Sequence, residues 1–236
     1  YNCVASVFKR GKDGQLNYVG DWDYNPAFKA ANGKMGHHHK YLHMAFGREG
    51  MAYLAGQTFH GRGNDRSTRS FGLHWYKVDE KGIGRHVGSV ASGYGQLLIS
   101  PDGKTLYQLE QFPNAIHWYR INDKGEPVHG GSIQGKGLVS DSGQDAKGEV
   151  LSALSPKGDF IYSVATQDQA VGWVRVADDG SLSDPASLPL AEHLGAGSGR
   201  NSFQPIHVKV PSDGRHVYLS CRVNGKGRVA VFTRNA

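Results

Sequence analysis

Histidine is the residue type in this chain with the widest chemical range. His37-His38-His39, followed by His43, is the densest cluster, and His60 and His207 lie further along. Imidazole suits copper, zinc and iron. Neighbouring residues in an extended segment point to opposite faces, so at most two of the triplet can reach one ion. The expected metal set is therefore His37, His39 and His43, with copper first among transition metals; the cofactor expectation is either none or such a metal. A polar loop, or imidazoles bonded to nearby backbone, would explain the same residues.

A second constellation points to acid–base chemistry. His207 can transfer a proton near neutral pH. Glu110 can act as a base or orient a cation, and Arg222 can hold a carboxylate or a developing oxyanion through its planar fork. These three are the candidate catalytic residues. His60, Arg62, Gln111, Arg200 and Asn201 are candidate substrate-binding residues. The structural alternatives are an ion pair between Glu110 and Arg222 and a strand histidine at 207. The segment from Thr58 to Ser70, with three arginines, is a long polar insertion, and long loops often carry function.

The elements that must position these groups show up as a repeat. An apolar stretch, a Pro/Asp/Gly turn and a second stretch ending in Tyr recur as LLISPDGKTLY (Leu97 to Tyr107), SALSPKGDFIY (Ser152 to Tyr162) and HVKVPSDGRHVY (His207 to Tyr218). HMAFGREGMAY (His43 to Tyr53) is a degenerate copy. The turn glycines Gly50, Gly103, Gly158 and Gly214 are spaced by 53, 55 and 56 residues. A second unit follows each copy: an aromatic strand, an Asp/Lys/Gly turn and another strand. Each unit reads as a hairpin, because apolar residues alternate and the turns hold glycine where positive φ is needed.

Two hairpins in series make a four-stranded antiparallel blade. The expected fold is an all-β β-propeller with about 4.5 to 5 blades, one domain over residues 1–236. Residues 1–21 supply two outer strands. Full blades span roughly 36–91, 92–135 and 147–190, and 203–234 supply three more strands. Such an arc leaves edges, so a second chain, a homo-oligomer or strand exchange is expected to complete it. The aromatic residues Trp75, Tyr76, Trp118, Tyr119 and Trp173 recur in the third strands, where they are expected to pack between blades.

SPDGKTLYQLEQFPNAIHWYRI and PIHVKVPSDGRHVYLSCRVNGKGRVAVF resemble the blade signatures of the seven-bladed lactonase-type propellers, the group of bacterial 6-phosphogluconolactonase and fungal carboxymuconate cyclase. Glu110 matches the Glu and Arg222 the Arg of those signatures; Leu109 and Cys221 stand where the family has Asn. The resemblance covers nearly the whole chain, as about five of seven blades. It implies lactonase-like, hydrolase-type action on a small anionic lactone or acid, if the chain is an enzyme. A histidine-rich, copper-type redox propeller is the alternative, and a non-catalytic binding or assembly subunit is the third.

Composition narrows the remaining classes. The net charge is +6, but Lys and Arg are scattered with no run of five, so nucleic acid is not an expected partner. No stretch of about 18 apolar residues exists to span a membrane. GAGSGRN (Gly195 to Asn201) lacks the following helix that a phosphate loop needs, and no nucleophile-elbow pattern is present. No signal peptide is visible. The start at Tyr1 without Met fits a processed or trimmed chain, and a secreted or periplasmic location is preferred. Cys3 and Cys221 are the only cysteines, either bridged or two separate thiols.

Overall fold

The computed structural model describes residues 4–23, 38–60, 68–93, 95–110, 115–135, 138, 151–165, 169–195 and 202–234. Two compact units, Tyr1–Tyr94 and Gly95–Ala236, divide the chain. The described residues form seventeen strands, one 3-10 turn at Arg48–Gly50 and one four-residue helix, α1 (Ala191–Leu194). All sheets are antiparallel, and each strand pairs only with its neighbours in sequence.

In the first unit β1 (Val4–Arg10) pairs with β2 (Leu16–Asp23). A four-stranded sheet follows: β3 (His38–Phe46), β4 (Met51–His60), β5 (Thr68–Val78) and β6 (Gly84–Ala91). The second unit opens with β7 (Gly95–Ile99), β8 (Thr105–Glu110), β9 (Ala115–Ile121) and β10 (Pro127–Gln134). Next come β11 (Leu151–Leu154), β12 (Phe160–Ala165), β13 (Ala170–Val176) and β14 (Leu182–Pro189). The last sheet has three described strands, β15 (Phe203–Lys209), β16 (His216–Val223) and β17 (Lys226–Thr233). These are the blades expected from the repeat, with boundaries shifted by a few residues.

Turn chemistry explains where each strand ends. Gly50, Gly103, Gly158 and Gly214 all have positive φ, between 65° and 78°. Glycine reaches that region without a Cβ clash. In the turn before β8, the Ser100 hydroxyl accepts from the Thr105 N–H at 2.9 Å and donates to Asp102 Oδ1 at 2.6 Å. The second hairpin turns use Asx geometry: Asp79 Oδ1 accepts from the Lys81 and Ile83 N–H groups at 2.9 and 2.8 Å, and Asn122 Oδ1 does the same for Lys124 and Glu126. Such side-chain acceptors replace the backbone partners that a tight turn leaves unmade.

Alternation then sorts the faces. Along β16, Val217, Leu219, Cys221 and Val223 are buried while Tyr218 and Arg222 are exposed. The buried set joins Tyr162, Val164 and Val171 in one apolar cluster. Tyr107, Leu109 and Ile116 form another with Ile161 and Val174. Trp75 and Trp118 lie over glycines of the following strand: a Cβ at Gly88 or at Gly131 would come within 2.4 Å of the indole. The repeated tryptophans are therefore packing residues. Cys221 is a buried free thiol, and burial pushes its pKa up; Cys3 lies outside the described residues. Among the described residues no helix is long and apolar enough to cross a membrane.

Candidate active site

Glu110 ends β8, opposite Gly95 on one side and Ala115 on the other. It is only 4% exposed. A buried carboxylate needs compensating partners, and β9 brings one alongside. Gln108 and His117 are register partners across β8 and β9, so His117 rises on the same face as Glu110. Its Nε2 lies 3.4 Å from Glu110 Oε2, without the alignment of a hydrogen bond. Its Nδ1 lies 3.4 Å from Nε2 of His129 on β10. The Tyr119 hydroxyl donates to Gln108 Oε1 at 3.2 Å, and the Tyr119 ring meets the His129 ring edge-on with centroids 5.4 Å apart.

The register explains why these groups converge. The β9–β10 pairing shifts between His129 and Gly131. This bulge inserts an extra residue and sets His129 opposite Tyr119, while Ser132 faces His117. Bulges often re-aim side chains in this way. The outcome is a line of carboxylate, buried-side imidazole and exposed imidazole. A carboxylate beside one imidazole nitrogen favours the proton on that nitrogen and leaves the other as a lone pair. Such a pair can accept a proton from water and return it to a leaving oxygen.

Part of this constellation recurs in the first unit. His74 and Tyr76 on β5 meet His86 on β6, with ring centroids 5.6 and 5.3 Å from it. Burial pushes the His86 pKa down, opposed by a backbone hydrogen bond involving Gly88. The position equivalent to Glu110 is Gly56, three residues after the Tyr that faces Trp in each sheet. The carboxylate is thus present in one of the two copies.

The other candidate residues are dispersed. His207 and Arg222 are exposed on the same face of the β15–β17 sheet, where His207 faces Ser220 and Arg222 faces Gln204. They stand two sheets along the chain from Glu110, which lies beside His117 instead. His43 is half-buried on β3 opposite Ala55, just after a register shift. His39 and His60 lie in β3 and β4, but their side chains fall outside the described residues, as do His37, Arg62, Gln111, Arg200 and Asn201 altogether. Among the described residues no three His, Cys, Asp or Glu side chains converge as a metal cage. A cavity of about 530 Å³ opens between the β11–β14 and β15–β17 sheets. Trp173, Phe160, Tyr162, Leu188 and Val217 give it an apolar lining, and no candidate residue is part of it.

His117 and His129 were not among the sequence candidates. The available signal was the duplicated His-Trp-Tyr of β5 and β9, each followed twelve residues later by His86 or His129.

No protein-family profile matches the chain, and no curated protein sequence resembles it significantly. Solved structures do. A candidate 6-phosphogluconolactonase from Bacteroides fragilis superposes with a TM-score of 0.58 at 15% identity, over 97% of this chain and 63% of that one. The chain has the fold of the lactonase-type β-propellers. A Lactobacillus plantarum protein gives 0.60 at 14% identity, over 98% and 64%. The periplasmic gluconolactonase of Pseudomonas aeruginosa gives 0.51 at 17%, over 100% and 69%. The chain spans less than two thirds of the length of the first two structures it matches.

Proposed function

We propose that the chain is a lactonase-like propeller that opens a small anionic lactone by adding water. The observation that carries the reading is the buried Glu110 carboxylate 3.4 Å from the His117 imidazole, on a fold shared with a gluconolactonase. In this scheme the Glu110 carboxylate beside Nε2 favours the His117 tautomer protonated there. Nδ1 takes a proton from water, and the hydroxide attacks the lactone carbonyl carbon. The ring C–O bond then breaks, and the alkoxide oxygen receives the proton back from His117, giving the hydroxy acid. The net charge of +6 favours encounter with an anionic substrate.

The test is hydrolysis of gluconolactone and of carboxylated or phosphorylated small lactones, followed by base consumption at constant pH. Removing a general acid–base group costs roughly 10²–10⁴-fold. Glu110→Gln and His117→Ala are expected to lower kcat/KM by at least the smaller factor, with unchanged circular dichroism. Turnover no faster than buffer for every lactone, or variants as active as the parent, would refute the proposal.

A further inference from the structure

We propose that His117 and His129 form a two-imidazole site for a divalent transition metal, with the Glu110 carboxylate 3.4 Å behind the second nitrogen of His117. The site uses the same His117 nitrogen as the lactonase reading, so a bound metal and proton transfer at Nδ1 exclude one another; metal binding is read without turnover, so either reading can fail alone.

Three observations support it. The first is spacing. His117 Nδ1 and His129 Nε2 are 3.4 Å apart, whereas a hydrogen bond from ring nitrogen is usually about 2.9–3.0 Å. Two nitrogens each about 2.0–2.1 Å from a tetrahedral ion stand about 3.4 Å from one another. The rings are tilted by 46° with centroids 5.6 Å apart, so they meet through nitrogen rather than stacking face to face.

The second is the carboxylate. Histidines that bind metals commonly give their other N–H to a carboxylate, which sets the tautomer and strengthens the ligand. Glu110 Oε2 is 3.4 Å from the far nitrogen of His117 and is buried. The third is access. His129 is exposed on the outer strand β10, leaving a metal's remaining positions open to water or a chelating ligand. Two imidazoles suit Cu(II), Zn(II) or Ni(II) rather than Mg(II) or Ca(II).

The first unit supplies an internal control. His74 and His86 repeat the ring separation of 5.6 Å, but Gly56 stands where Glu110 would be.

The experiment titrates chelator-treated protein with Cu(II) and Zn(II) alone, by calorimetry and by electron paramagnetic resonance of the copper form. The parent is expected to bind an equivalent that shows nitrogen ligation and is lost in His129→Ala and in His117→Ala. Glu110→Gln should weaken that equivalent by roughly 10–100-fold. His86→Ala should bind as the parent does. His129 is exposed, so His129→Ala should keep the parent's circular dichroism. No binding by the parent overturns the proposal. So does full stoichiometry in His129→Ala, which would place the metal on other histidines, or equal loss in His86→Ala.

Discussion

Gly95→Ala should destabilise the second unit through the very pairing that holds Glu110. Gly95 begins β7 in register with Glu110. A Cβ built there would lie 1.7 Å from the Leu109 carbonyl oxygen and 3.1 Å from the Glu110 Cα. Reaching even 3.0 Å from that oxygen needs a shift of about 1.3 Å (3.0 less 1.7), and the obstacle is backbone, which cannot rotate away. Overpacking of this kind costs about 1–3 kcal/mol. Losing the adjacent rung of the ladder adds about 1 kcal/mol. The sum is about 2–4 kcal/mol, which for a chain of this size lowers Tm by about 4–16 °C. Gly227→Ala is the matched control, because nothing lies within 4 Å of its Cβ position and its φ is not positive. Urea unfolding followed by tryptophan fluorescence measures both. If Gly95→Ala falls within about 0.5 kcal/mol of the parent, the close approach of β7 to β8 is wrong, and with it the placement of Glu110.

Two further expectations concern pH. Burial alone would raise the Asp159 pKa, but bonds from Arg234 and Ser155 reverse the direction and hold it low. Arg234 Nη1 donates to Asp159 Oδ1 at 3.2 Å, and its guanidinium lies 4.4 Å over the Phe160 ring. A depressed carboxylate contributes stability above its unfolded pKa and loses it as pH falls through the folded value. Arg234→Ala should therefore destabilise at pH 7 by roughly 0.2–1 kcal/mol for the ion pair, which is partly exposed and screened. The difference should shrink below about pH 4, the ordinary Asp range; one that stays constant to pH 2 would assign the effect to packing on Phe160. At the other extreme, burial pushes the Tyr53 and Tyr107 phenols up to about 12. Raised values mean stability present below pH 10 and lost as pH rises through the folded pKa. Absorbance at 295 nm should show these two phenols ionising only together with alkaline unfolding. Ionisation of every tyrosine near pH 10 in folded protein would contradict their burial.

Turn positions and the succession of hairpins could be read from the residues because both depend on local chemistry. Ser100-Pro101-Asp102-Gly103 closes its own turn with its own side chains, so its recurrence marks hairpins wherever the rest of the chain goes. Strand faces were legible for the same reason: Val217, Leu219, Cys221 and Val223 alternate with Tyr218 and Arg222, and period two sorts them without reference to any partner. Glu110 also stood out, through its place after a Ser-Pro-Asp-Gly turn and a Tyr strand.

Which groups Glu110 meets depended on tertiary structure. Its neighbour is His117, seven residues on, through the β8–β9 register, and His129 joins through a bulge that no spacing rule announces. The shared sequence pattern likewise could not say which repeats have a covered face. Tyr53 and Tyr107 are fully buried while Tyr218, at the equivalent place, is 38% exposed. Local sequence determines which way a side chain points from its strand. Only the packing of one sheet on another determines what it points at.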